Sequence, residues 1–131
     1  MRLEKNKLHE FVYDLRSAYA SAVYDCGRFV NQTRKCTLMQ RALNKPSKSF
    51  YVSYEEGTRI IYRMMQYGVS GKKGLNAVKY NDLYRVFLQI RHDNPEMDMR
   101  EAIQRACDAP APRFYIKSDH AMKLLNKYIK L

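Results

Sequence analysis

The chain has 131 residues, enough for one compact domain or two very small ones, because a unit of about 60 residues buries only a marginal core by itself. Its 46% hydrophobic and 28% charged residues are typical of a globular protein and exclude wholesale disorder. The 24 Lys and Arg residues against 13 Asp and Glu residues give a net charge of +11, which favours a polyanion such as nucleic acid, an anionic membrane or an acidic protein face.

The first half of the chain predicts two helices and an extended segment. Between residues 8 and 29 apolar residues recur every three or four positions, the period of an amphipathic helix. Thr37 is predicted to cap a short second helix, which must end before Pro46 because proline disfavours helical geometry in the residue before it. Residues 46–52 then form an extended connector. The inward positions of the long helix are Leu8, Phe11, Leu15, Tyr19, Ala22, Val23, Cys26 and Phe29.

A third helix begins after this connector. Ser53 and Glu56 form a capping box, in which each side chain is expected to satisfy a backbone N–H at the helix start. Gly68 is placed to end the helix in a left-handed conformation, and a Gly/Lys linker, 71–75, follows. The predicted buried face consists of Ile60, Ile61 and Met64.

The second half repeats this order of elements. A long helix is predicted from 76 to 93, and Pro95 follows it; Asp98 with Glu101 predicts the cap of a short helix. The extended segment 110–116 precedes a last helix, for which Ser118 is the predicted cap. The inward residues are Leu83, Val86, Phe87 and Ile90 on the long helix, and Ala121, Leu124, Leu125 and Tyr128 on the last one.

The two halves also agree residue by residue at a single offset of 64. Phe50-Tyr51-Val52 matches Phe114-Tyr115-Ile116, Gln40-Arg41-Ala42 matches Gln104-Arg105-Ala106, and Pro46 matches Pro110. Such a gapless pattern indicates duplication of one structural unit. We therefore predict an all-α fold of two tandem trihelical, helix-turn-helix-like repeats that share a core: 1–70, the linker 71–75, and 76–131. The Phe-Tyr connectors are candidates for a minimal two-stranded ribbon.

The connector Pro110-Ala111-Pro112-Arg113-Phe114-Tyr115-Ile116 and the capped helix after it are similar to a segment of small proteins of gut bacteria and their phages, some of which carry it twice. The resemblance implies a repeat and a prokaryotic or viral source, and transfers no activity or site. It therefore implies the cytoplasm of a bacterial host cell, with packaging in a virion as the alternative. No secretory leader or membrane span is predicted, because no run approaches about 18 apolar residues.

The charge pattern predicts a nucleic-acid interface, most consistent with duplex DNA. In the helix-turn-helix class the last helix enters the major groove, where Arg, Gln and Asn read base edges and Lys holds phosphates. Residues 26–54 and 57–81 contain no acid, so the first repeat and the linker are expected to bind an anion better than the second repeat. The candidate contacts are Arg28, Arg34, Lys35, Arg41, Lys48, Arg59, Tyr62, Arg63, Gln66, Lys72, Lys73, Arg113, Lys123, Asn126 and Lys127, with Lys130 on the same outward face. A solvated helix face that is merely rich in cations is the alternative reading.

The connectors predict a second possible surface. Phe50 and Phe114 are expected to be core plugs, whereas strand alternation would turn Tyr51 and Tyr115 outward to contact a protein partner or a second copy of the chain. This alternative function is that of a structural or interaction protein, such as a small phage virion component or an adaptor.

Catalysis finds little support in the sequence. The cluster from His92 to Asp98 suggests a metal-dependent nuclease, but Pro95 as a helix stop and Asp98 as a cap explain it more simply. The three histidines lack metal-ligand spacing, and residues 71–73 lack the pattern of a phosphate-binding loop. We therefore predict a non-enzymatic protein without a cofactor or metal. The cysteines Cys26, Cys36 and Cys107, odd in number and without a CxxC pair, predict thiols buried in the core in a reducing compartment.

Overall fold

A computed structural model of the protein describes residues 5–69 and 71–128. Within these ranges the fold is all-α, as the sequence predicts, and the predicted two-stranded ribbon does not form: β structure there amounts to isolated bridge positions at Ser47 and Ala111. The helices are α1 (Lys5–Cys26), a 3-10 helix (Gly27–Gln32), α2 (Lys35–Leu43), α3 (Tyr54–Tyr67), α4 (Leu75–Asp93), α5 (Met99–Asp108) and α6 (Ser118–Tyr128).

The first helix ends earlier than its hydrophobic period predicts. Gly27 has φ +57, a left-handed conformation that glycine adopts without steric cost, and the chain continues as a 3-10 helix. Phe29 is consequently 52% exposed, so its predicted inward position is wrong.

Helix starts follow the capping rules only in part. Ser53 Oγ accepts a hydrogen bond from the Glu56 N–H at 3.2 Å, which confirms this half of the predicted capping box. The caps predicted at Thr37 and Ser118 are wrong, because α2 already begins at Lys35, and the first α6 hydrogen bond runs from the Ala121 N–H to the Lys117 carbonyl. Asp98 does stand at the N-cap of α5, but its side chain makes no capping hydrogen bond.

The end of α3 is also as predicted. Gly68 has φ +82, and its N–H donates to the carbonyl of Met64 at 2.7 Å. Because a side chain at positive φ is strained, glycine suits this position. Ile60, Ile61 and Met64 are buried, which confirms the predicted inward face of this helix.

The chain divides into two compact units, each with three α-helices among the described residues. Unit 1 comprises residues 1–47 and 112–131, and in it α1, α2 and α6 contact one another. Phe114 is 1% exposed, its ring meets Phe11 edge to face at 6.0 Å, and its N–H donates to the Leu43 carbonyl at 3.0 Å. The second connector is thereby attached to the end of α2 and inserted into the core of unit 1.

Unit 2 comprises residues 48–111, and in it α3, α4 and α5 contact one another. Leu83 and Phe87 of α4 and Ile103 of α5 are among its buried side chains. The close approach of α3 and α5 depends on Gly57: a Cβ at this position would lie 2.4 Å from Cys107 Sγ. Glycine therefore allows the two helices to come into contact here.

The compact units do not coincide with the predicted segments 1–70 and 76–131. The third helix of each predicted repeat belongs to the unit that contains the other repeat's long and short helices: α3 joins α4 and α5, whereas α6 joins α1 and α2. The offset of 64 recurs in helix starts, since α5 and α6 begin 64 residues after α2 and α3. The duplication itself stays a prediction.

Candidate nucleic-acid interface

The positive charge is distributed unevenly between the two units. Unit 1 has 14 Lys and Arg residues against 5 Asp and Glu residues, a net charge of +9. Unit 2 has 10 against 8, a net charge of +2. The sequence-based expectation assigned the better anion-binding surface to the first repeat and linker. By unit, however, the excess lies in α1, α2 and α6 with the segments that flank them.

Eight of the fifteen candidate contacts belong to unit 1. On α6 the burial of Ala121 and Leu125 leaves Lys123, Asn126 and Lys127 facing solvent, as the helical period predicts. The others lie in the 3-10 helix, at the start of α2, on its outer face and in the second connector. All are exposed except Arg113, which is half-buried. They are Arg28, Arg34, Lys35, Arg41, Arg113, Lys123, Asn126 and Lys127. Lys130 lies outside the described residues.

Several of these cations lie beside aromatic rings. The Arg28 guanidinium is 5.1 Å from the centroid of the Phe29 ring, and Lys127 Nζ is 5.3 Å from that of Tyr128. Cation–π contacts of this kind restrict the side chains while leaving their charge in solvent. Tyr128 is 40% exposed, so the prediction that it lies in the core is wrong; Leu124 is half-buried.

The other seven candidates belong to unit 2, where all are exposed. Four lie on the outer face of α3, in the register that buries Ile60, Ile61 and Met64, and two more precede α4. The candidate contacts are therefore divided between the two units. These residues are Lys48, Arg59, Tyr62, Arg63, Gln66, Lys72 and Lys73.

Next to this group Tyr80 of α4 donates a hydrogen bond from Oη to Glu56 Oε1 at 2.8 Å. Burial, followed by this bond, raises the pKa of Tyr80 to about 12. Burial also lowers the pKa of Lys79, with the opposing charge of Glu56 acting in the other direction. The Glu56 carboxylate in the first turn of α3 is thus hydrogen-bonded to a residue of α4.

The connectors behave differently from each other. Phe50 is 2% exposed, which, with Phe114, confirms both predicted core plugs. Tyr51 is only 7% exposed, so the prediction that it points outward is wrong. Its φ of +55 departs from the strand geometry on which that prediction depended, and its N–H donates to Ser49 Oγ at 3.1 Å. Tyr115 is half-buried.

Sequence reasoning missed a group of exposed aromatic residues in unit 1. Tyr13 and Tyr24 lie on the outer face of α1, and Tyr24 is 86% exposed. Their positions outside the apolar period of α1 would have identified them. The expectation of core thiols holds for Cys107 alone, since Cys36 is exposed and Cys26 half-buried.

Comparison of the chain with protein-family models, with curated proteins and with solved structures finds no match. Within residues 5–69 and 71–128, no helix is both long enough and apolar enough to cross a membrane.

Proposed function

We propose that the protein binds nucleic acid, and specifically duplex DNA, through unit 1, in a regulatory or architectural role without catalysis. The observation that supports this most directly is the concentration of charge: unit 1 has a net charge of +9 and unit 2 only +2. Like charges repel one another in a small folded unit. Binding to a phosphate backbone relieves that repulsion, and the release of counterions from the DNA adds favourable entropy.

The residue types of α6 suit this role. Lys123 and Lys127 are exposed one turn apart, and Asn126 lies between them on the same side of the helix. In a DNA complex the two ammonium groups would hold phosphates, while the Asn126 amide would bond an adenine edge in the major groove. Arg34 and Lys35 at the start of α2 would contact the backbone beside α6, since α2 and α6 contact each other.

The test is a titration of a fluorescently labelled duplex, followed by anisotropy between about 50 and about 200 mM salt. We expect the logarithm of the binding constant to fall linearly with the logarithm of the salt concentration. Lys123→Glu with Lys127→Glu should weaken binding more than Arg85→Glu with Arg105→Glu. The second pair is the matched control: it is exposed, lies in unit 2, and changes the net charge equally.

Reversal of Lys123 and Lys127 should also weaken binding more than reversal of Arg59 and Arg63, which is the opposite of the order expected from the sequence. Absence of binding below about 100 mM salt would remove the proposal. Equal losses for the two reversed pairs would show that net charge, rather than unit 1, determines the affinity. A single-stranded oligonucleotide of the same sequence tests the preference for a duplex.

A second candidate function is a structural or interaction protein, such as a phage virion component. The exposure of Tyr24, at 86%, and of Phe29, at 52%, favours it, because tyrosine and phenylalanine are enriched in protein interfaces. It predicts a defined oligomer in size-exclusion light scattering that Tyr24→Ser disrupts, together with indifference to DNA. A monomer at all concentrations would argue against self-association as the role of this surface.

A further inference from the structure

A groove in unit 2 has features that the proposed DNA contacts of unit 1 do not use. It lies between the second half of α3 and the beginning of α4 and has a volume of about 410 Å³. Pockets that hold small organic molecules have volumes of about 300–1,000 Å³, so this one has room for a ligand of modest size. Its lining residues are Arg59, Ile60, Arg63, Met64, Tyr67, Gly68, Val69, Lys72, Asn76, Ala77 and Tyr80.

The groove is lined entirely from a part of the chain that lacks acidic residues. Every lining residue falls between positions 57 and 81, where there is no Asp or Glu. Three of them, Arg59, Arg63 and Lys72, are exposed cations. The acid-free stretch noted in the sequence thus surrounds one concave surface. The Glu56 carboxylate is hydrogen-bonded to the lining residue Tyr80, and the three cations outnumber it, so the surface attracts anions.

The two guanidinium groups are available for a ligand. Among the residues that the structure describes, the side chains of Arg59 and Arg63 form neither an ion pair nor a hydrogen bond. They are separated by one helical turn, so both side chains extend along the same side of α3. Guanidinium groups bind phosphate oxygens in a bidentate manner, and two of them can hold one phosphate dianion.

Apolar and aromatic side chains form the remainder of the groove. Ile60 and Met64 are buried at its base, and Val69 and the ring of Tyr67 are exposed at its edge. Asn76 adds an amide that can both donate and accept hydrogen bonds. A ligand matched to this lining has a flat, weakly polar body and a phosphate group at one end.

We propose that this groove binds a nucleoside 5′-phosphate, with the phosphate on Arg59 and Arg63 and the base against Met64, Val69 and Tyr67. Lys72 supplies a further positive charge at the rim, and the Asn76 amide bonds the edge of the base. The same chemistry is offered by a free nucleotide and by the 5′-phosphorylated end of a strand. The site does not depend on the duplex binding proposed for unit 1, because all of its residues belong to unit 2.

The experiment titrates the full chain with adenosine 5′-monophosphate, adenosine and inorganic phosphate by isothermal titration calorimetry. In parallel, amide chemical shifts are followed by NMR. We expect the monophosphate to bind at least about tenfold more tightly than either adenosine or phosphate, since each lacks one of the two recognised parts. The shifts should concentrate in residues 59–69 and 71–80. Binding of adenosine with the affinity of the monophosphate, or shifts distributed over both units, would overturn the proposal.

Charge-removing variants distinguish binding in this groove from attraction by the overall positive charge of the protein. Arg59→Gln with Arg63→Gln should weaken binding of the monophosphate by at least about tenfold. Arg85→Gln with Arg105→Gln removes the same charge from exposed positions of the same unit and should change the affinity by less than about twofold. Equal effects of the two pairs would overturn the site. Ala77→Phe fills the groove without changing charge and should also abolish binding; retained affinity would contradict the location.

Two further ligands identify the source of the nucleotide. If a 5′-phosphorylated hexanucleotide binds more tightly than its 5′-hydroxyl counterpart, and Arg59→Gln with Arg63→Gln removes this difference, the groove holds a strand end. If the hexanucleotides bind equally while the monophosphate still depends on both arginines, the ligand is a free nucleotide. Loss of duplex binding on Lys123→Glu with Lys127→Glu, with monophosphate binding unchanged, would show that the two sites are independent.

Discussion

Unit 1 and unit 2 are assembled from the same types of helix, but they differ in charge and in how the third helix is packed. Position 121 on α6 and position 57 on α3 are 64 residues apart: one is a fully buried alanine, and the other is glycine. The glycine is required where Cys107 Sγ would meet a Cβ at 2.4 Å. Similar helical frameworks can therefore carry a net charge of +9 or +2 and different helix contacts.

The largest expected effect compares the two connector phenylalanines. Phe114→Ala in unit 1 and Phe50→Ala in unit 2 each remove a ring that is at most 2% exposed. Each should lower the free energy of unfolding by about 3–5 kcal/mol, because the ring's transfer energy is lost and a cavity remains. Urea denaturation monitored by circular dichroism measures both.

The control for this comparison is Phe29→Ala, also in unit 1, where the side chain is 52% exposed. Its effect should stay within about 0.5 kcal/mol. If Phe114→Ala were equally mild, the role of Phe114 as the plug of the unit 1 core would be wrong.

The next effect concerns the third helices. Gly57→Ala should destabilise the protein by about 1–2 kcal/mol, because overpacking against Cys107 exceeds the helix-propensity gain of about 1 kcal/mol. Thermal and urea denaturation report the change. Adding Cys107→Ala should recover part of the loss, since it removes the obstructing sulfur. A stabilised Gly57→Ala variant would mean that α3 and α5 do not approach as closely as described.

A smaller effect distinguishes unit 2 by its pH dependence. Tyr80 must be protonated to donate to Glu56, and its pKa is raised to about 12 from the ordinary 10.0. The resulting stabilisation is fully present below pH 10 and is lost as the pH rises toward 12, because the unfolded chain releases this proton first.

Tyr80→Phe measures this contribution. It should cost about 1 kcal/mol near neutral pH, and the difference from the unmodified chain should disappear in strongly alkaline solution. The free energy of unfolding is compared at several pH values. If the difference in unfolding free energy between the two chains does not change up to pH 12, the stabilisation does not depend on the hydroxyl proton of Tyr80.

The smallest effects are expected from one exposed ion pair in each unit. Lys45 Nζ lies 2.6 Å from Asp25 Oδ2 in unit 1, and Arg105 lies 3.1 Å from Glu101 in unit 2. Asp25→Asn and Glu101→Gln should each cost no more than about 0.5 kcal/mol, since solvent and salt screen exposed charges. Because unit 1 has the larger net positive charge, Asp25→Asn should lower the free energy of unfolding more than Glu101→Gln does, and the difference should be clearest at low salt.

Much of the local structure was predictable because it depends on residues close in sequence. The hydrophobic period located the helices, and it also gave the buried face of α3 and the outward position of Lys123, Asn126 and Lys127. Ser53 and Gly68 act at the two ends of α3 as their residue types suggest. Errors arose where backbone conformation departed from the pattern, as at Gly27, which ends α1, and at Tyr51, whose φ is +55.

The candidate sites were predictable only as sets of residues. The acid-free stretch 57–81 was visible in the sequence, but its enclosure of a groove between α3 and α4 depends on how these helices meet. The exposed position of Tyr24 was not predicted, because the apolar period of α1 identifies only its inward residues. No sequence pattern indicated that Arg59 and Arg63 would lie on a different unit from Arg34 and Arg41.

The sequence alone determined the helical class, the inward faces of most helices, the buried phenylalanines of both connectors and the net charge of +11. Tertiary structure alone decided that α6 joins α1 and α2 while α3 joins α4 and α5, and with it the distribution of charge between the units. The reason is the sequence separation over which each kind of interaction acts. Helix periodicity and caps depend on residues within about four positions of one another, whereas the pairing of helices depends on burial between segments far apart in the chain.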